Sequence, residues 1–134
     1  MRMERREFIV MAGASALIAG TSGQAASKEW QKMYGLIGKM IAVEGKRDAL
    51  IAVLLEGTGG MPGCLSYIIA KDQADPNAIW VTEVWDSEQS HRASLSLPAV
   101  KDAITRGKPL IASFADHVTT EPVGGQGLPA AKSR

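Results

Sequence analysis

The sequence predicts an α+β domain of ferredoxin-like topology, β-α-β-β-α-β, with an antiparallel sheet and helices on one face. Three observations predict it. Two strand-like runs, 64–71 and 78–85, flank the turn sequence Asp72-Gln73-Ala74-Asp75-Pro76-Asn77, as in an antiparallel hairpin. Apolar residues recur at helical spacing before this hairpin, and a capped helical segment follows it. One further strand-like run lies at each end of that series.

Residues 33–43 form an apolar run with Ile and Met that closes at Glu44-Gly45, a strand followed by a turn. From Lys46 to Gly57, Ala49, Leu50, Val53 and Leu54 fall on one helical face, and Gly57 can end the helix. Thr58-Gly59-Gly60-Met61-Pro62-Gly63 is a loop. In the strand 78–85, Ile79, Val81, Glu83 and Trp85 share one face, and Trp80, Thr82 and Val84 share the other. Both faces carry large apolar groups, so both need a cover: helices on one side, a second protomer's sheet on the other. Asp86 is positioned to cap the next helix, with Gln89 three residues on, and that helix should reach about Leu97. Pro98 begins a further helical segment, which Gly107-Lys108-Pro109 ends. Residues 113–123 are the last strand, carrying Phe114, His117 and Val118.

The chain has 134 residues, 46% hydrophobic and 22% charged, which fits one globular domain. A single cysteine excludes an intrachain disulfide and a Cys-based zinc site. Residues 1–25 read as an export signal: Arg2, Arg5 and Arg6 precede an uncharged apolar stretch from Phe8 to Gly20, and Gly23-Gln24-Ala25 suits cleavage after Ala25. Arg5-Arg6-Glu7-Phe8-Ile9 resembles the core of a twin-arginine signal, which points to the periplasm. No stable membrane insertion is expected after cleavage. Residues 26–32 are then a polar lead-in, 33–123 the domain, and 124–134 a loose tail. Without the signal the formal charge is zero, which argues against nucleic acid and for small-molecule work or self-association. Cys64, alone in an oxidising compartment, is expected to be buried.

No phosphate-binding glycine loop, G-x-S-x-G elbow or histidine metal motif is present; His91 and His117 are the only histidines. The remaining chemistry-bearing set is Tyr67, Trp80, Trp85, His91, Arg92, Phe114 and His117. Side chains from the end of the third strand and the start of the following helix face a cleft of the kind that binds small molecules. His91 has the basicity to take a proton from an aromatic hydroxyl, but from its residues alone it reads rather as a solvated histidine on a polar helix face beside Arg92. Trp85 suits either the core or a substrate wall. Glu83, an acid among apolar neighbours, calls for a partner more than for a catalytic role: Arg92, or a basic residue across a dimer interface. His117 reads as structural.

Met61-Pro62-Gly63-Cys64, Asp75-Pro76, the stretch from Trp80 to Glu88 and then His91 resemble the antibiotic biosynthesis monooxygenase family, of the quinol monooxygenase type. The resemblance spans residues 33–123, and Glu83 to Glu88 is its most specific part. It implies a homodimer whose sheets pack into an α/β barrel. It further implies a cofactor-independent monooxygenase that oxidises a quinol-like or polyphenolic substrate with molecular oxygen, using neither metal nor bound cofactor. In that reading His91 is the base and Arg92 stabilises phenolate charge, while Tyr67, Trp85, Trp80 and Phe114 line the substrate site. Ser94 and Ala99 stand where quinol-type members often carry histidines, and residues 33–43 lack the Asn of haem-degrading relatives. The alternative is a non-catalytic dimer that binds a quinone or haem as carrier or sensor.

Overall fold

A computed structural model describes residues 32–129. The export signal read over residues 1–25, and the end of the tail, lie outside the described residues. The elements run β1 (Tyr34–Ala42), α1 (Arg47–Gly57), β2 (Cys64–Lys71), β3 (Ala78–Trp85), α2 (Glu88–Ser94), α3 (Pro98–Gly107), a short 3₁₀ turn (Lys108–Leu110) and β4 (Ile111–Thr120). The strands form one antiparallel sheet in the order β2-β3-β1-β4. This is the ferredoxin-like arrangement expected from the sequence, and the β2 and β3 limits coincide with the expected ones.

Local chemistry explains the connections. Asp72 Oδ1 accepts from the backbone N–H groups of Ala74 and Asp75, and Asp75 Oδ1 from that of Asn77, which closes the β2–β3 turn. Arg47, in the first turn of α1, clamps the same turn. Its Nη1 donates to the carbonyls of Asp72, Asp75 and Ala78 at 3.0–3.3 Å. The cap of α2 is Ser87, whose hydroxyl accepts from the Ser90 N–H, and not Asp86 as expected. Asp86 instead accepts a hydrogen bond from the Ser90 hydroxyl. The expected single helix to Leu97 stops at Ser94. Pro98 drives Leu97 into extended backbone (ψ 137°), and a tight turn through Leu95 and Ser96 joins α2 to α3. The last strand starts and ends earlier than expected, because the 3₁₀ turn delivers the chain to the sheet at Ile111.

The sheet has two unlike faces. On one, Leu50 of α1 packs with Ala42, Ile79 and Val81, and Val100 of α3 packs with Met61 and Trp85. The helices meet where Gly57 lies against Ala103. Among the described residues no helix covers the Trp80 side of the sheet: Trp80 is only partly buried, and Ile68 and Val118 are 55% and 51% exposed.

Candidate functional site

Strand register assembles a cluster of aromatic and ionisable side chains at the end of the sheet where β1 begins and β3 ends. Trp85 lies opposite Tyr34 on β1 and Cys64 on β2. The next row on the same face is Leu36, Glu83 and Tyr67, with Thr119 of β4 opposite Leu36. A β-bulge between Cys64 and Ser66 sets that alignment. From above, α2 delivers His91. Its ring centroid is 5.4 Å from that of Tyr34 and 5.5 Å from that of Trp85, the latter edge-to-face. Ser94 Oγ donates to the His91 carbonyl at 2.6 Å and steadies that turn.

The buried members and the reachable members differ. Trp85 is 1% exposed and His91 7%, whereas Glu83, Tyr34, Tyr67, Cys64 and Arg92 keep intermediate exposure. Trp85 therefore forms the buried back of the cluster. Its Nε1 donates to Glu83 Oε1 at 2.8 Å. Glu83 thus takes its partner from its own strand. What shifts its carboxyl is burial first and then the Trp85 hydrogen bond. Cys64 is half-buried and not sealed, with its thiol directed to the Ser66 carbonyl at 3.6 Å.

Electrostatics follow from this burial. Loss of water pushes the Glu83 carboxyl up to about 7, against the Trp85 hydrogen bond that lowers it. Burial lowers His91 to about 4, with help from His117 and Arg92, so the imidazole is neutral at neutral pH. Tyr67 is raised far above the ordinary phenol range, first by burial and then by Glu83 and Cys64. Tyr34 is also raised, by burial and by Glu88, while its hydrogen bond with Thr119 and the Arg92 charge act the other way. Burial raises the Cys64 thiol as well. One carboxyl raised to about 7 therefore stands beside two phenols, a thiol and a neutral imidazole, with the Arg92 and Glu88 charges beyond.

Four of the six site residues named from sequence gather here: Tyr67, Trp85 and His91, with Arg92 close enough to act on His91 and Tyr34. Two do not. Trp80 is on the opposite face, where it donates to Asp72 Oδ2 at 2.8 Å and lies 5.4 Å beneath the Lys39 ammonium. An odd spacing from Trp85 makes this unavoidable in a strand. Phe114 pairs with Met40, which pairs with Ile79, six residues along β3 from Trp85. At strand rise this separates them by about 20 Å. Sequence reasoning missed Tyr34, whose place beside Trp85 follows from the β1–β3 pairing. Among the described residues, no group of three or more His, Cys, Asp or Glu could hold a metal ion.

Comparison with known proteins adds the ancestry. The antibiotic biosynthesis monooxygenase family matches residues 33–106, from the residue before β1 almost to the end of α3. The chain belongs to the antibiotic biosynthesis monooxygenase family. A family protein from Chloroflexus aurantiacus J-10-fl, described provisionally as an antibiotic biosynthesis monooxygenase, is similar in crystal structure. It shows 65% identity and a TM-score of 0.71, covering 72% of this chain and 99% of that one. The fold alone is shared with a provisionally described member from Caulobacter crescentus, at 18% identity and TM-score 0.60, covering 77% and 99% of the two chains. It is shared likewise with SnoaB, a cofactor-independent oxygenase from Streptomyces nogalater, at 14% identity and TM-score 0.60, covering 71% and 97%. No curated protein matches the chain. Within this antibiotic biosynthesis monooxygenase domain, all elements that supply the cluster except β4 lie in the matched span.

Proposed function

We propose that the protein is a cofactor-independent monooxygenase that oxidises a quinol-like or polyphenolic compound with molecular oxygen. One observation carries this reading: the Glu83 carboxyl, pushed up to about 7 by burial, lies in an aromatic cluster with Tyr34 and Tyr67 on the neighbouring strands and His91 on the helix above. Family membership supports the reaction class. In such chemistry the substrate supplies the electrons. A quinol that has lost a hydroxyl proton passes electrons to oxygen, a ring carbon–oxygen bond forms, and the resulting peroxide loses water. One quinol and one oxygen molecule become one hydroxyquinone and one water.

The chain's part is to bind the ring, move the proton and keep bulk water away. Tyr34 and Tyr67 flank the ring, with Trp85 behind. Arg92 stands at the α2 side, where its charge favours the phenolate. The second cover of the sheet is a second copy: Ile37, Ile41, Trp80 and Val84 share the uncovered face with exposed Ile68 and Val118, as in a dimer whose sheets pack together. The export signal read over residues 1–25 puts this activity in the periplasm.

Oxygen consumption against a panel of hydroquinones tests the reading. Uptake above the autoxidation blank, with a hydroxyquinone product, is the expected result. Absence of uptake, with tryptophan fluorescence still quenched saturably by the same compounds, would make the protein a binding module.

A further inference from the structure

We propose that Glu83, and not His91, is the catalytic residue that receives the substrate's hydroxyl proton. The proposal rests on the monooxygenase reading and deepens it. Position decides between the two candidates. His91 is 7% exposed, with the rings of Tyr34 and Trp85 packed beside it. Glu83 lies on the sheet floor with intermediate exposure, between Leu36 on β1 and Tyr67 on β2. Trp85 fixes one carboxylate oxygen through its indole N–H at 2.8 Å. That oxygen is oriented, and the second is left to meet a ligand.

The surroundings favour the same assignment. The groups that face Glu83 are Tyr67 and Cys64 on β2, Tyr34 on β1 and Trp85 on its own strand, with His91, Glu88 and Arg92 on α2 beyond. Tyr67, Cys64 and Tyr34 all hold their protons more tightly than usual. None of them competes as a base at neutral pH. A base works best when its own affinity for protons matches the working pH, which the Glu83 environment provides and that of His91 does not.

The cycle balances. The quinol O–H bond breaks and its proton passes to the Glu83 carboxylate, leaving the electron pair on the phenolate. The phenolate ring reduces oxygen, and a ring carbon–oxygen bond forms to give a peroxide anion. Glu83 returns its proton to that anion, making the hydroperoxide. Loss of the ring hydrogen with cleavage of the O–O bond then releases water and leaves the hydroxyquinone.

Glu83→Gln tests this, because the amide keeps the side chain's size and an oxygen for the Trp85 N–H. In the wild type, kcat/KM should fall as the pH drops below about 7, and a protonated-carboxyl infrared band should titrate over the same range. Glu83→Gln should lose that band, lose the acid limb and lower kcat/KM by at least about a hundredfold. His91→Gln should keep the limb. Activity in Glu83→Gln within a few-fold of wild type, with the limb unchanged, would overturn the assignment while leaving the monooxygenase reading intact. Should the wild type consume no oxygen with any quinol, that reading fails, and the absorption of bound nitrocatechol decides the role of Glu83. Catecholate in wild type and neutral catechol in Glu83→Gln would retain Glu83 as the proton acceptor of a binding site. The same spectrum in both proteins would overturn it.

Discussion

Trp85 and Glu83 are two residues apart on β3, so their side chains project from the same face and the indole N–H reaches the carboxylate. That bond lowers the proton affinity that burial raises. Trp85→Phe keeps an apolar ring but removes the donor. The acid limb of kcat/KM should then move to higher pH, and unfolding should cost about 1–3 kcal/mol less. Denaturant titration and a pH–rate profile check the two effects.

Glu83 and His91 also pull stability in opposite directions. Glu83 is raised to about 7 from 4.5, so its contribution is full below pH 4.5 and is lost as the pH rises through 7. His91 is lowered to about 4 from 6.5, so its contribution is present above pH 6.5 and is lost as the pH falls toward 4. Each amounts to at most about 3 kcal/mol, and the windows overlap. Between pH 4.5 and 6.5 the wild type should therefore show a nearly flat stability. Glu83→Gln should become more stable as the pH rises through that window, and His91→Gln less stable. Urea midpoints across it give the answer. At this scale the sequence singled out Glu83 as a costly acid, and it named Trp85, His91 and Tyr67, which the fold brings together. It did not reveal what holds Glu83, because the expected cation and the actual indole are equally compatible with the composition.

At the scale of elements, punctuation was readable and alignment was not. The Asp72–Asn77 turn, the two strands that flank it and the break at Pro98 follow from local chemistry. The β2 bulge and the β1–β3 pairing are long-range consequences of packing, and these place Cys64 and Tyr34 beside Trp85. Phe114 was assigned to the site by residue type, yet strand register puts it at the other end of the sheet. The helix layer depends on close contact: a Cβ on Gly57 would press into the Ala103 methyl and come within 3.2 Å of the Ala99 carbonyl. Gly57→Ala should therefore destabilise the fold by about 1–3 kcal/mol, measurable by thermal unfolding, despite the better helix propensity of alanine. Arg47→Met removes the clamp that Nη1 makes on three carbonyls of the β2–β3 turn. It should cost about 1.5–3 kcal/mol and speed amide exchange at residues 72–78.

At the scale of the whole molecule, a sheet with apolar residues on both faces and, among the described residues, helices on only one explains why self-association belongs to the account. Both faces were legible from the alternation in β3; the identity of the second cover was not, since a helix or another sheet satisfies the same pattern. Ile68→Glu with Val118→Lys places two charges on the uncovered face. If that face joins two copies, the double variant should sediment as a monomer while wild type sediments as a dimer. Identical sedimentation of the two proteins would remove the sheet face from the interface. The most direct test of the central claim is the mass of the product formed from a hydroquinone under isotopically heavy dioxygen. The account predicts one heavy oxygen atom in a hydroxyquinone and the other in water. A plain quinone without the label would show electron transfer without oxygen insertion and would contradict it.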